Sequence, residues 1–246
     1  MGRDKRSMER NRARRLARLA ARKKARKKQQ AQAGPNRFAY MGVTRAELGR
    51  APIYRALVSD TILGAEGIGN VIISRLLPDG RVAAGVFLVD SGCLGVKDAF
   101  FTVLSPSGFD EKFGGELGGQ TLEPKPPAYA RKLIEDALAY ARNLGIEPHA
   151  DFAEASVVLG DIDPAACSDV FTFGKDGKPF YASGPHDTEE RIQYILATLR
   201  AHCGNEGFDY LIVIRDPEQT ERLGLSGSRT IFPDGTELPA DDSEVE

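Results

Sequence analysis

Three runs of hydrophobic residues dominate the chain between residues 71 and 105. They read VIISRLL, RVAAGVFLVD and KDAFFTVLS, and they are rich in β-branched and aromatic residues. The turn sequence Asp79-Gly80 separates the first two runs. Strand-forming runs joined by Asp-Gly turns are typical of antiparallel hairpins. We therefore expect a three-stranded meander over this region.

Two later segments repeat apolar residues at i, i+3 and i+4, the spacing of one helix face. The first reads PPAYARKLIEDALAYARNLG and ends at a stop signal, Gly145, whereas the second covers residues 188–203. The predicted buried stripes contain Ala130, Leu133, Ile134, Ala137, Leu138 and Ala141 in the first helix and Ile192, Ile195, Leu196 and Leu199 in the second. Both helices are expected to pack one face against the sheet.

The remaining pattern completes a mixed order of helices and strands. Thr44 and Glu47 have the spacing of a capping box at a helix start. Further predicted elements are a helix over 44–59 interrupted at Pro52, a surface loop over 108–127, strands over 155–160 and 208–214, and hairpins turning at 176–177 and 233–235. Antiparallel strands with helices on one side predict an α+β fold.

The predicted architecture is an antiparallel sheet of hairpins with two main helices packed on it. A basic arm, helical or disordered, precedes this body over residues 1–36. The body covers 37–215, with a second boundary near 145–155 if it forms two subdomains, and an acidic, partly disordered tail covers 216–246.

Charge divides the chain more sharply than its composition suggests. Residues 1–28 contain 14 Lys and Arg against two acids, which gives +12, and the other 218 residues sum to −14. Clustered cations of this density neutralise nucleic-acid phosphates. The sequence therefore predicts binding to RNA or the ribosome through this arm. The predicted contact residues are Arg12, Arg14, Arg15, Arg18, Arg22, Lys23, Lys24, Arg26, Lys27 and Lys28.

Other features indicate a cytoplasmic protein without a membrane segment. Three widely spaced cysteines suggest no disulfide framework. The chain has no apolar run of about 20 residues, and its N-terminus lacks the apolar core of a secretory signal. Three scattered histidines and no closely spaced cysteine pair predict neither a metal site nor a cofactor.

The stretch GVFLVDSGCLGVKDAFF, residues 85–101, contains the candidate chemistry of the body. Asp90, Cys93, Lys97 and Asp98 stand between two apolar runs. A nucleophilic Cys93 would need a cation or base close to it in space. Lys97 is near in the sequence, whereas His149 is distant in the sequence and would have to be brought close by the fold. The structural alternative is a glycine-containing loop between strands, in which Cys93 is a buried apolar side chain.

A second enzymatic interpretation uses carboxylates that follow strands. Asp90 ends one predicted strand, and Asp161 and Asp163 follow another. Carboxylates at strand ends hold the divalent metals of RNase H-like nucleases. The first predicted strand, 71–77, has no acid where that pattern requires one. A metal-dependent nuclease or other hydrolase is therefore an alternative function, and an interaction module whose arm binds an acidic protein is another.

The motifs also resemble a family of uncharacterised bacterial proteins. GVFLVDSGCLGVKDAFF is similar to its GV(F/Y)LVD-x-x-CLGVKD signature, LGIEPHADF to its LGF-x-PH-x-DF helix end, and FGKDGKP to its hairpin. The similarity covers most of residues 50–190 and departs from the family pattern at GAEGIG. The resemblance implies no activity. It does imply that five candidate residues form one arrangement shared with the family: Asp90, Cys93, Lys97, His149 and Asp151.

Overall fold

The computed structural model describes residues 42–184, 187–213 and 230–231. The chain divides into two units, residues 1–47 and 48–246. The predicted basic arm and the predicted turn at 233–235 lie outside the described residues, as does the tail apart from residues 230–231.

A one-turn helix, α1 (Arg45–Leu48), begins at the predicted cap. The Thr44 backbone N–H donates to Glu47 Oε2 over 2.7 Å, and the Glu47 N–H donates to the Thr44 hydroxyl over 3.2 Å. These reciprocal bonds confirm the capping box. The predicted interruption at Pro52 is confirmed, but the residues after it, Ile53–Ser59, form a strand and do not continue the predicted helix.

The main sheet is antiparallel and contains six strands in the order β4-β3-β2-β1-β6-β5. The predicted meander and the α+β class are confirmed. One unpredicted strand, β1, precedes the meander. Its strands are β1 (Ile53–Ser59), β2 (Ile68–Leu76), β3 (Val82–Asp90), β4 (Gly95–Leu104), β5 (Glu116–Leu117) and β6 (Gln120–Pro124).

The predicted loop over 108–127 is wrong, because this region contains a helix and a hairpin. Helix α2 (Pro106–Phe113) is capped by the Ser105 side chain, which accepts the Gly108 N–H. Phe109 and Phe113 lie one turn apart on α2 and are fully buried against the sheet. Burial of these two rings stabilises a helix that the glycine-rich composition concealed.

The best-predicted helix, α3 (Pro127–Asn143), buries all six residues of its predicted stripe. It is followed by a short helix, α4 (Phe152–Ala155), and two 3₁₀ turns, Ser156–Leu159 and Pro164–Ala166. The predicted strand over 155–160 is therefore wrong. Buried arginine donors bind the carbonyls of this segment, which removes the need for a strand partner.

A second sheet contains three parallel strands in the order β7-β8-β9. They are β7 (Phe180–Ala182), β8 (Asp209–Val213) and β9 (Thr230–Ile231), and helix α5 (Glu189–Cys203) connects the first two. The turn at 176–177 forms, with a bridge between Lys175 and Lys178, but β7 then pairs with β8 and not within a hairpin. The predicted stripe of α5 is buried, and β8 is the central strand of its sheet as expected.

No helix in the described ranges is long and apolar enough to cross a membrane.

Arg75 on β2 fixes the irregular segment after α4. Its side chain is 1% exposed. The guanidinium donates to the carbonyls of Ala51 (2.6 Å), Val158 (2.7 Å) and Leu159 (3.2 Å) and to Asp161 Oδ1 (2.9 Å). A buried cation whose three nitrogens each donate in this way holds three separate chain segments together.

Replacing Arg75 with Met should destabilise the protein by about 3–5 kcal/mol, because three carbonyls lose their donor. Urea denaturation measures this change. The matched control is Arg55→Met on the neighbouring strand, where the arginine is 44% exposed and lies 3.2 Å from Asp110. The control should lose about 0–1 kcal/mol. Equal losses in the two variants would contradict the role of Arg75.

Candidate functional site

The candidate site is centred on the loop of residues 91–94, which joins β3 to β4. Asp90, at the end of β3, accepts the backbone N–H groups of Cys93 (2.9 Å) and Leu94 (3.2 Å) with Oδ1. Burial raises the pKa of the Asp90 carboxyl, while these N–H bonds and the Lys97 charge act in the opposite direction. Asp90 therefore fixes the conformation of the loop through a largely buried carboxyl group.

The loop contacts the chain segment that leads into the second sheet. The Gly174 N–H donates to the Ser91 carbonyl over 2.8 Å, and the Phe180 N–H donates to the Gly92 carbonyl over 3.0 Å. A Cβ atom at position 92 would lie 2.4 Å from the Phe180 carbonyl oxygen, so only glycine fits there. The two motifs around residues 85–101 and 173–187 are thus in direct contact.

Cys93 lies inside the hydrophobic cluster between this loop, α3 and α5. Its side chain is fully buried, and its neighbours in the cluster include Leu94, Ala141 and Tyr181. Burial raises the pKa of the Cys93 thiol, and the nearby Asp90 carboxyl raises it further. A thiol in this environment is protonated at neutral pH, which favours the packing interpretation of Cys93.

His149 lies beside β4, with Asp98 and Asp151 as its closest carboxylates. Its Nδ1 is 3.4 Å from Asp98 Oδ1 and 3.9 Å from Asp151 Oδ2. Its backbone N–H donates to the Val96 carbonyl over 3.1 Å, which attaches the segment to the strand. The structure therefore brings three predicted residues together, but it pairs His149 with carboxylates and not with the Cys93 thiol.

Lys97 occupies the extra position of a β-bulge, since Val96 pairs with Val89 and Asp98 with Leu88. Bulges of this kind redirect a side chain out of the regular alternation. The ammonium Nζ lies 3.6 Å from Asp187 Oδ2, and both side chains are largely buried, at 13% and 8% exposure. Lys97 thus forms an ion pair with the loop that follows β7.

Asp187 and Tyr181 are site residues that the sequence did not predict. Asp187 Oδ2 accepts the Tyr181 hydroxyl (3.1 Å) and the Gly184 N–H (2.8 Å), and Oδ1 lies 3.4 Å from Arg191 Nε. Burial raises the pKa of the Tyr181 hydroxyl, and the Asp187 charge adds to this effect. The available signal was their place soon after the FGKDGKP turn, with Tyr181 on β7 and Asp187 in the loop between β7 and α5.

Asp161 and Asp163 have structural partners of their own. Asp161 binds Arg75, and that hydrogen bond lowers the pKa of the Asp161 carboxyl. Asp163 accepts the Ala165 N–H over 2.9 Å and caps a 3₁₀ turn. Among the described residues, no group of three or more His, Cys, Asp or Glu side chains is arranged to hold a metal ion.

Comparisons with protein-family models, with curated proteins and with solved structures find no match to this chain. The resemblance of its motifs to a bacterial family therefore stays a prediction. Any assignment of function depends on the charges and contacts of this chain itself.

The pH dependence of stability should reveal the buried Asp90 carboxyl. Its pKa in the folded protein is raised, so the folded state holds the proton to higher pH than the unfolded chain does. Wild type should therefore lose stability relative to Asp90→Asn as the pH rises above about 4 and through the folded-state pKa. Urea unfolding of both proteins across this range measures the difference.

Asp161→Asn is the matched comparison, for which the expected pH dependence of stability has the opposite sign. The Arg75 hydrogen bond lowers the pKa of Asp161 in the folded state. Wild type should therefore be stabilised relative to Asp161→Asn above about pH 4, and this advantage should disappear as the pH falls through the lowered pKa. The stability difference between wild type and Asp90→Asn could instead stay constant with pH, or change with pH in the same direction as for Asp161→Asn. Either result would refute a buried Asp90 carboxyl with a raised pKa.

Cysteine labelling tests whether Cys93 is available as a nucleophile. Iodoacetamide should modify the partly exposed Cys203 at least about 100-fold faster than the buried Cys93 in the folded protein. Peptide mass spectrometry after timed labelling measures both rates, and labelling in urea shows that both thiols can react. Preferential modification of Cys93 would instead restore the nucleophilic interpretation.

Proposed function

We propose that this protein binds structured RNA, such as that of the ribosome, in the bacterial cytoplasm through its basic arm. The supporting observation is the charge division: residues 1–28 sum to +12, and the other 218 residues sum to −14. Binding that neutralises many phosphates releases counterions and gains most of its free energy from that release.

The composition of the arm favours contacts with phosphate over contacts with bases. Residues 1–28 contain no aromatic side chain that stacks on a base. Arginine-rich segments commonly fold on RNA, and the alanines and arginines between Arg12 and Arg22 have high helix propensity. We therefore expect recognition of RNA shape and charge with little dependence on base sequence.

Ion pairs in the described part of the body support the proposal that the arm binds RNA and the body does not. Its basic side chains repeatedly lie beside its own acids, as for Arg131 with Glu135 and Lys125 with Glu123. A net negative body whose cations are compensated in this way repels a polyanion. RNA affinity should therefore depend on the arm.

Two alternatives stay predictions. A hydrolase would use Asp90 with Asp161 or Asp163, or Cys93 with His149. In the structure each of these side chains has another partner or environment. An interaction module would use the same arm to bind an acidic protein, and the experiment below separates that partner from RNA.

The test compares the full-length protein with a variant in which the ten predicted contact residues of the arm are changed to Gln. Fluorescence anisotropy with purified ribosomal RNA fragments should show wild-type affinity falling about 10³-fold or more between about 50 and 200 mM salt. The variant should lose most of its affinity and most of this salt dependence, because each lost cation removes one phosphate contact.

Four exposed or partly exposed lysines of the body provide a control for removing positive charge outside the arm. Changing Lys112, Lys125, Lys175 and Lys178 to Gln should leave RNA affinity nearly unchanged. Polyglutamate serves as the competing polyanion without phosphate. Equal RNA binding by wild type and the arm variant would exclude the proposal, and tighter binding to polyglutamate than to RNA would favour the acidic protein partner.

A further inference from the structure

A groove runs along the exposed side of α3, between this helix and the segment from α4 to the following 3₁₀ turn. Its volume is about 520 Å³, within the range of roughly 300–1,000 Å³ that is usual for small-molecule sites. The lining residues on α3 extend from Arg131 to Arg142, about 16 Å at 1.5 Å per residue.

The floor of the groove is apolar. Leu138 and Ala139 of α3 line it together with Phe152 and Leu159. Leu138 and Leu159 are nearly buried, Phe152 is half-buried, and Ala139 is exposed to the groove. The Phe152 ring packs edge-on against Phe87 of the main sheet, with the ring centroids 5.8 Å apart. This floor is therefore anchored to the core and suits an apolar ligand surface.

Arg131 forms a rigid, electrically compensated end of the groove. Its Nε lies 2.7 Å from Glu135 Oε1, and its Nη1 donates to the carbonyls of Gly160 and Ile162. With these bonds its charge is neutralised by Glu135 and its guanidinium is held in place. The paired Arg131 and Glu135 side chains therefore offer no net charge to a ligand.

Arg142, at the opposite end of the groove, is more exposed and more loosely paired than Arg131. Its side chain is 53% exposed, and the carboxylate nearest to it, that of Glu147, is 3.7 Å away and 77% exposed. A loose surface pair of this kind contributes little free energy, so the guanidinium can bind another anion at small cost. The groove thus combines an apolar floor with one available positive charge.

We propose that this groove binds a small amphiphilic organic anion. The apolar part of the ligand lies on Leu138, Ala139 and Phe152, and its acidic group binds Arg142. One carboxylate or similar oxyanion matches Arg142, whose only loose pairing is with the exposed Glu147, and bidentate bonds to a planar guanidinium orient the ligand. This inference goes beyond RNA binding and does not depend on it.

Calorimetric titration of the full-length protein with decanoate and with 1-decanol tests both parts of the proposal. The two probes have the same alkyl chain, and only decanoate carries a charge. Wild type should bind decanoate about tenfold more tightly than decanol, and Arg142→Ala should remove that preference. Ala139→Trp should abolish binding of both probes, because the indole fills the groove.

The controls separate a specific loss from unfolding. Arg200→Ala on α5 removes an equal charge away from the groove and should leave both affinities unchanged. The chain has no native tryptophan, so blue-shifted emission from Ala139→Trp reports an indole seated on the apolar floor of a folded protein. Absence of decanoate binding by wild type, or binding that is indifferent to both groove variants, would overturn the proposal.

Discussion

Two backbone hydrogen bonds attach β7 and the turn before it to the loop between β3 and β4, and the candidate site depends on them. They end on the carbonyls of Ser91 and Gly92, in a loop whose conformation Asp90 fixes by accepting two N–H groups. Without this loop geometry, the strand β7 would lose its anchor. The ion pair from Lys97 to Asp187 spans the same junction and would be lost with it.

The sequence predicted those elements whose side chains alternate with a clear period. The stripes of α3 and α5 were correct at every named residue, because helical spacing directly reports the buried face. The prediction was wrong where distant partners decide the structure. ASVVLG has strand-forming residues, but the buried guanidinium of Arg75, more than 80 positions earlier, binds the carbonyls of this segment and stabilises a turn.

The same limit applies to the candidate site. Asp90, Cys93 and Lys97 lie in one sequence motif, and the structure shows that Lys97 forms an ion pair with Asp187. Tyr181 and Asp187 were not predicted, because their contact with the loop depends on how β7, α5 and β8 assemble. Nor does sequence spacing report burial, which is what determines the protonation of the Cys93 thiol.

The two proposed ligands depend on electrostatics to very different degrees, so salt distinguishes them. RNA binding by a +12 arm depends on counterion release and weakens steeply as salt is added. Burial of an alkyl chain on Leu138 and Phe152 is nearly independent of salt, and a single ion pair at Arg142 adds only a small screened contribution.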